Sequence, residues 1–445
     1  MPEDRRPRSL IKAAAGTYLA NGTAAMLSLA NVLVIARVLG PEGRGDVAFL
    51  IAVAMLTGHI GSLSVQEANA NIGGTRPELR GVLATNSLLL AASLGAVAAG
   101  VVAALVELFP AVGGPVARPL FSLALLAIPI SVLRLYFNLL LQSDYRYGVT
   151  NLVWILGPVT TVTVNGILAA TGNLSVGTAI GAWIGGQLLG TVILAVYVGR
   201  TFGFAAPDMG IARDAVTFGS KTHGARFMEI GNYRIDQWLL GSIAGSRELG
   251  LYSIAVAWAE LLYYLPGILV LVQRPDLVRA SREHAAELVA RVFRRMAFLS
   301  GAAAIGLVIA APFLCVVIFG EEFRGSVDDL RVLALGAIGI GALALFQNVL
   351  TAQRRPFLAS ATVGVAFAVT LTLNFLLIPV LGGLGAALAR TVAYTVGGVG
   401  AALIVRRVFG LNLHRLIPRR GDLVWMVEKF KDELLPVLKT GKGVR

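Results

Sequence analysis

The most informative residues of this sequence are charged side chains that lie inside long apolar segments. In one such segment, residues 215–241, seven of the polar or charged side chains lie on one side of the expected helix: His223, Arg226, Glu229, Tyr233, Arg234, Asp236 and Gln237. Consecutive residues of an α-helix are about 100° apart, so these side chains share an arc of about 160° on one helical face. An intramembrane charge is costly and usually faces a cavity, so this face should meet water or another helix.

Four arginines within apolar segments are candidates for binding an anion. A guanidinium is planar and donates parallel hydrogen bonds that match the oxygens of a phosphate or pyrophosphate group. The four candidate anion ligands are Arg134, Arg226, Arg234 and Arg390. An alternative is also open: Arg226 could pair with Glu229 and Arg234 with Asp236, which would only neutralise charge inside the protein. Arg134 and Arg390 could instead extend their guanidinium groups to the membrane surface.

Uncharged polar side chains form a second set of candidate ligands, suited to a hydroxyl-rich molecule. The candidates for this polar lining are Asn21, Asn31, His59, Gln66, Tyr233 and Gln237. Such side chains commonly form hydrogen bonds between helices, and this alternative stays open for each of them. For His59 taken alone, packing against a neighbouring helix is the simpler interpretation.

Three carboxyl groups, those of Glu229, Asp236 and Glu260, are candidate sites for a coupling ion. A carboxylate inside a membrane is stabilised by taking up H+ or by binding Na+. For Glu260, pairing with an arginine of segment 215–241 is the alternative. No cofactor or metal is predicted, because Cys315 is the only cysteine and no Cys or His cluster has metal-ligand spacing. The sequence has no ATP-binding phosphate loop, so an ion gradient, the membrane potential or substrate consumption would drive any transport.

The composition shows which elements must position these residues. Hydrophobic residues make up 56% of the 445-residue chain, charged residues 14%, and the mean hydropathy is +0.76. Soluble domains contain about 25% charged residues, so this chain belongs in a lipid bilayer. A transmembrane helix needs about 20 mainly apolar residues. The sequence predicts an all-α polytopic membrane protein with about twelve spans, at 12–36, 47–66, 81–106, 119–141, 149–170, 176–199, 215–241, 249–273, 296–319, 331–352, 357–379 and 384–405.

The distribution of Lys and Arg predicts the orientation of these spans. If the N-terminus is cytoplasmic, 28 of the 38 basic residues flank the cytoplasmic ends of spans and six flank the opposite ends. Basic residues favour the cytoplasmic side, so the sequence predicts a multi-pass protein of the inner (cytoplasmic) cell membrane with both termini in the cytoplasm. The net charge of +13 then reflects topology and attraction to anionic membrane lipids, and nucleic acid is not predicted as a partner.

Two halves of the chain resemble each other. Segment 45–52 aligns with 250–257, and segment 161–165 aligns with 370–374. A parallel repeat with six spans in each half predicts two six-helix bundles with a central cavity between them. The predicted organisation is a first half at 1–199, a cytoplasmic linker at 200–214, a second half at 215–408 and a basic cytoplasmic tail at 409–445. Residues 422–438 of the tail could form an amphipathic helix at the membrane surface, or the tail could be loosely ordered.

Several short motifs resemble those of polysaccharide flippases. They are Ala-Arg-Val-Leu-Gly-Pro at 36–41 followed by Gly45, Tyr-Arg-Ile-Asp-Gln-Trp-Leu-Leu-Gly at 233–241, and Glu-Leu-Gly-Leu-Tyr-Ser at 248–253. On these motifs the chain resembles the lipid-linked oligosaccharide exporters of the multidrug/oligosaccharidyl-lipid/polysaccharide (MOP) superfamily. The resemblance covers nearly the whole chain and implies the MOP fold, which resembles that of the multidrug (MATE) transporters.

The resemblance implies a transporter and not an enzyme. The implied substrate is a polyprenyl-pyrophosphate-linked oligosaccharide, turned from the cytoplasmic to the outer leaflet by alternating access for cell-surface polysaccharide biosynthesis. Polysaccharide-assembly proteins are further candidate partners.

Two alternatives to this function stay open. A cation-coupled multidrug antiporter of the same superfamily would need an acidic cavity that binds organic cations. A membrane enzyme of polysaccharide assembly would need more polar, non-helical chain than the outward loop at 320–330 provides.

Overall fold

The computed structural model describes residues 10–279, 282–417, 419 and 421–422, with side chains for 16–263 and from 286 onward within these ranges. This part of the chain is helical and contains no β-strand. The helices are α1 (Leu10–Gly61), α2 (Val65–Thr75), α3 (Arg80–Leu108), α4 (Arg118–Leu125), α5 (Ala127–Gln142), α6 (Tyr147–Ala170), α7 (Val176–Phe202), α8 (Met209–Ala244), α9 (Ser246–Arg279), α10 (Arg282–Pro312), α11 (Ser326–Ala352) and α12 (Pro356–Phe409).

Eight helical stretches within the described residues are long and apolar enough to cross a membrane. The two longest, Gly16–Gly61 with 46 residues and Pro356–Phe409 with 54, exceed twice the roughly 20 residues that one crossing requires. Helices α8 and α9, with 36 and 34 residues, are also longer than one crossing but are not among the eight. The all-α, multi-pass membrane architecture is therefore confirmed, whereas the count of twelve spans stays a prediction.

Glycines interrupt the two longest helices. Gly40 in α1 has φ 65° and ψ −172°, and Gly382 in α12 has φ 55° and ψ −129°. Glycine adopts positive φ without the steric cost that a Cβ atom would impose. The predicted break between spans 12–36 and 47–66 was wrong in extent, because only Gly40 leaves the helical conformation there. Pro41 follows it, in the first helical position that proline favours.

Several helices extend beyond the predicted spans or divide within them. The region 274–295, predicted as a connection, forms the end of α9 and the beginning of α10 wherever it is described. Predicted span 119–141 divides at Leu126 into α4 and α5. Hydropathy marks only the lipid-facing length of a helix, so polar residues that continue the helix are missed.

The connection between the two halves is shorter than the predicted linker at 200–214. Helix α7 ends at Phe202 and α8 begins at Met209. The side chain of Asp208 caps α8, because its carboxylate accepts hydrogen bonds from the N–H groups of Gly210 (2.7 Å) and Ile211 (3.0 Å).

The beginning of the tail is anchored on α10. Arg294 donates hydrogen bonds to the Asp422 carboxylate (2.8 Å) and to the main-chain oxygen of Arg415 (2.7 Å). Burial opposes ionisation of Asp422, but the N–H of Arg419 and the Arg294 guanidinium hold the pKa of this carboxyl below its usual range. The amphipathic helix predicted at 422–438 lies outside the described residues beyond Asp422.

The two halves approach each other closely at a pair of glycines that the duplication aligns. A Cβ atom on Gly45 would lie 1.8 Å from the main-chain oxygen of Ser246, and one on Gly250 would lie 1.8 Å from that of Pro41. The two contacts are reciprocal, because Ser246 follows Pro41 and Gly250 follows Gly45 by the same 205 positions. Only glycine permits this approach between α1 and α9.

Candidate functional site

A cavity of about 420 Å³ lies between the first and second halves of the chain. Residues of α1, α5, α6 and α7 line one side, and residues of α8 and α9 line the other. The structure brings together seven of the residues predicted from sequence: Asn21, Asn31, His59, Arg134, Arg234, Gln237 and Glu260. The predicted central cavity is therefore present, and side chains from both halves contribute to it.

The first half contributes two arginines that contact no carboxylate among the described residues. Arg44 is 8% exposed, its Nε is buried without a hydrogen-bond partner, and no ion pair forms at its guanidinium within the described chain. Arg134 donates a hydrogen bond to Oε1 of Gln187 and lies 5.5 Å from the ring centroid of Trp154. An arginine without a carboxylate partner leaves positive charge facing the cavity.

Sequence reasoning missed Arg44 because it placed this residue in a connection between two spans. Since only Gly40 leaves the helix, Arg44 lies within the second segment of α1 and faces the cavity. Other lining residues that the sequence analysis did not select are Ser131, Asn138, Trp154, Thr161, Trp183, Gln187 and Ser253. Their sequence signal is a single polar or aromatic residue in an apolar span, which also occurs in ordinary helix packing.

The second half contributes an ion pair at the cavity wall. Arg234 in α8 donates to both carboxylate oxygens of Glu260 in α9, at 2.6 Å and 3.3 Å. The two side chains are 23% and 29% exposed, so the pair faces the cavity. This is the alternative that the sequence left open for Glu260, pairing with an arginine of segment 215–241.

Behind this pair lies a buried polar cluster that does not line the cavity. Arg390 in α12 is 1% exposed and donates to Oδ2 of Asp236 at 3.2 Å. The hydroxyl of Tyr252 donates to the same carboxylate oxygen at 2.5 Å. The guanidinium of Arg390 lies 5.7 Å from the ring centroids of both Tyr263 and Tyr394.

The alternative pairing of Arg234 with Asp236, which the sequence left open, does not form: Arg234 pairs with Glu260 and Asp236 with Arg390. Residues two apart on a helix point in nearly opposite directions, so Arg234 reaches α9 whereas Asp236 reaches α12. Arg390 likewise neither lines the cavity nor extends to the membrane surface, the two locations that its sequence position suggested. It is enclosed by Asp236 and by three tyrosine side chains of the second half.

Arg226 and Glu229 lie outside the central cavity. They form the i,i+3 ion pair that the sequence left open, at 2.8 Å, and line a separate crevice of about 610 Å³ against α2, α11 and α12. Both side chains are more than 40% exposed. The polar face of α8 is therefore divided between two locations, because a helix of 36 residues extends beyond a single cavity.

The remaining polar candidates differ in their environment. Asn31 accepts a hydrogen bond of 2.7 Å from the side chain of Asn165, and Nδ1 of His59 is buried without a partner. Gln66 is 2% exposed within α2 and does not line the cavity. The Tyr233 ring lies 6.3 Å from that of Tyr394, outside the cavity lining.

The cavity combines positive charge with hydrogen-bonding groups. Its described lining holds three arginines and a single acidic residue, Glu260. Among the described residues, no group of three or more His, Cys, Asp and Glu side chains could hold a metal ion. The arrangement can bind an anion through guanidinium groups and hydroxyl groups through its amides and serines.

The family is decided by the match of a family model to most of the chain. A model described as polysaccharide biosynthesis protein matches residues 34–328, which include the kink at Gly40, all of α8 and the cavity residues from Arg44 to Glu260. The chain belongs to the polysaccharide biosynthesis protein family. No curated protein sequence matches it significantly.

Solved structures establish the fold of this polysaccharide biosynthesis protein. It is similar to the lipid II flippase MurJ in an inward closed conformation, with a TM-score of 0.70, 12% identity and coverage of 96% of this chain and 93% of that one. It is similar to an inward-facing multidrug resistance MATE family transporter of the MOP superfamily, with a TM-score of 0.68, 16% identity and coverage of 87% and 94%.

A third structure is a MOP superfamily transporter from Pyrococcus furiosus, with a TM-score of 0.60, 15% identity and coverage of 90% of this chain and 95% of that one. The polysaccharide biosynthesis protein therefore has the MOP fold that the sequence motifs implied. At these identities, the likeness concerns the fold alone.

Proposed function

We propose that this protein is a flippase that moves a polyprenyl-pyrophosphate-linked oligosaccharide across the membrane by alternating access. The observation that carries the proposal is the positive charge of the central cavity. Arg44 and Arg134 face it without a carboxylate partner in the described chain, and Arg234 faces it as well. Membership of the polysaccharide biosynthesis protein family supports a sugar-linked substrate.

The cavity suits the headgroup of such a lipid. Its volume of about 420 Å³ lies within the range of roughly 300–1,000 Å³ that is common for small-molecule sites. The arginines would bind the pyrophosphate, and Asn21, Asn31 and Gln237 would hydrogen-bond to sugar hydroxyls. The polyprenyl chain would stay in the lipid, because it is already surrounded by apolar groups there and would gain nothing by entering the cavity.

A cation-coupled drug antiporter fits the cavity less well. An organic cation would enter beside three arginines and would find, in the described part of the lining, one carboxylate, which Arg234 already holds. The resulting repulsion would oppose binding of the cation. The similarity to MATE transporters concerns the fold, and it is not evidence that this cavity is acidic.

The test is a flipping assay on protein reconstituted in liposomes. A fluorescent short-chain polyprenyl-pyrophosphate disaccharide is incorporated, and the label exposed to external dithionite is followed over time. We expect the Arg44→Gln and Arg134→Gln double variant to lose at least tenfold in rate, because each tenfold corresponds to only about 1.4 kcal/mol of lost stabilisation. The control is Arg118→Gln, at an exposed arginine paired with Glu107 away from the cavity.

Three results would contradict the proposal. The first is an unchanged rate in the double variant, which would remove the anion site. The second is gradient-dependent transport of ethidium in place of the lipid, which would favour the drug antiporter. The third is a change in the mass of the recovered lipid, which would indicate an enzyme of polysaccharide assembly.

A further inference from the structure

Glu260 lies between two arginines and forms hydrogen bonds with only one of them. Its carboxylate accepts two hydrogen bonds from Arg234, at 2.6 Å and 3.3 Å, whereas Nη2 of Arg390 forms only a longer ion pair with its Oε1, at 3.6 Å. That Nη2 atom is buried and has no hydrogen-bond partner in the described chain. A buried guanidinium donor without an acceptor is costly, so Arg390 has an unfilled position directed toward Glu260.

The two arginines differ in their access to the cavity. Arg234 and Glu260 both line it, whereas Arg390 is 1% exposed and is held behind them by Asp236. Glu260 thus occupies the boundary between the cavity and the buried cluster. Arg234, Arg390, Asp236 and Glu260 together carry no net charge, so their pairing can change without leaving a net charge in the protein interior.

An anion in the cavity would compete with Glu260 for Arg234. A phosphate group offers the same bidentate geometry to a guanidinium as a carboxylate does. When a phosphate takes this position, the Glu260 carboxylate needs another cation, and Arg390 is the nearest. A shift of about 1 Å would bring Oε1 from 3.6 Å to the length of a charged hydrogen bond.

We propose that Glu260 is an internal counter-anion that the substrate phosphate displaces from Arg234 and that then hydrogen-bonds to Arg390. The exchange breaks the hydrogen-bonded pair between α8 and α9 and shortens the 3.6 Å ion pair between α9 and α12 into a hydrogen bond. Binding of the substrate in the cavity thereby changes which helices of the second half are joined by hydrogen bonds. A ligand without an anionic group cannot displace Glu260, so the exchange also selects for phosphate-bearing substrates. This proposal rests on the proposed function, since it requires an anion in the cavity.

The exchange predicts opposite effects of one substitution on binding and on transport. Glu260→Gln removes the competing charge but keeps the size of the side chain. We expect it to bind farnesyl pyrophosphate about tenfold more tightly, a change of about 1.4 kcal/mol. Flipping in the liposome assay should fall at least tenfold, because the neutral amide no longer responds to the exchange. Binding is measured by calorimetry on the purified full chain, with Glu107→Gln as the matched control at an exposed Arg–Glu pair.

A second variant tests the arginine that receives the carboxylate. Arg390→Lys keeps a positive charge beside Asp236 but lacks the second donor that faces Glu260. We expect it to bind farnesyl pyrophosphate like the wild type and to flip the labelled lipid much more slowly.

The outcomes separate the two proposals. If the wild type does not bind farnesyl pyrophosphate, or binds it independently of Arg44 and Arg134, the anion site fails and the exchange fails with it. If the wild type binds through these arginines but Glu260→Gln binds no more tightly, only the exchange is overturned. Normal flipping by either Glu260→Gln or Arg390→Lys would also overturn the exchange.

Discussion

At Arg44 in the central cavity, the requirements of function and stability oppose each other. Its side chain is 8% exposed and its Nε has no partner, although a guanidinium normally makes several hydrogen bonds. An unpaired buried charge costs several kcal/mol. A ligand anion that supplies the missing acceptors would offset this cost when it binds, which is a reason for the chain to carry such a residue.

This opposition predicts that Arg44→Met stabilises the protein and inactivates it. Methionine has a similar length without the charge, so we expect a gain of about 2 kcal/mol, seen as a higher Tm in detergent. Binding of farnesyl pyrophosphate should be strongly reduced. A lower Tm would mean that Arg44 is held by contacts that stabilise the fold. Arg118→Met, at an exposed pair, serves as the control and should leave both quantities unchanged.

At the scale of elements, the glycine pair of α1 and α9 fixes how closely the two halves approach. Gly45 and Gly250 allow main-chain atoms of one helix to contact main-chain atoms of the other. Nearby, the side chain of Asp46 accepts a hydrogen bond from Ser246, and Arg37 donates to the main-chain oxygens of Val317 (2.9 Å) and Ile318 (2.8 Å). Direct contact between helices therefore lies next to the cavity residues Arg44, Val47 and Ser253.

Adding one methyl group at this crossing should separate the helices. In Gly250→Ala the new Cβ would lie 1.8 Å from the oxygen of Pro41, far below a normal carbon–oxygen distance of about 3.3 Å. We expect a lower Tm and faster reaction of a cysteine at Ser253, which lines the cavity, with an impermeant maleimide. Cys315 is replaced by Ala in all proteins compared.

The matched control for this substitution is Gly181→Ala. Gly181 also lies within a long helix, α7, but no atom stands within 4 Å of the Cβ that alanine would add. Equal labelling and equal Tm in Gly250→Ala and Gly181→Ala would show that the glycine pair does not control the contact between the halves.

At the scale of the whole molecule, the distribution of basic residues predicts an orientation in the membrane. The predicted cytoplasmic side carries 28 of the 38 Lys and Arg residues. The connection between α10 and α11 is on the opposite side in this topology, and that between α11 and α12 is cytoplasmic. Exposed residues in each connection, Glu322 and Arg355, offer positions for labels.

Cysteine labelling in intact cells tests this orientation. With Cys315 replaced by Ala, a cysteine at Glu322 should react with an impermeant maleimide added outside. A cysteine at Arg355 should react only after lysis. The reverse pattern would invert the predicted topology, and reaction at both positions in intact cells would mean that the two connections do not lie on opposite sides of the membrane.

The amino-acid sequence alone was enough to identify a helical membrane protein, because solubility in lipid is the sum of small contributions from many residues. The apolar spans, the short motifs around Arg37 and Asp236, and the repeat between Gly45 and Gly250 all point to one helical transporter fold. The i,i+3 pair of Arg226 and Glu229 was also readable, since helical spacing alone places these two side chains together.

Which polar residues share a site follows from the packing of the helices and not from the sequence pattern. Arg234 pairs with Glu260 and Asp236 with Arg390, across 26 and 154 positions of the chain, because neighbouring residues of α8 face different helices. Arg44 joins the cavity because a single glycine, not a loop, separates the two segments of α1. Contacts between distant helices depend on helix direction and rotation, which hydropathy does not encode, and these contacts give the cavity its charge.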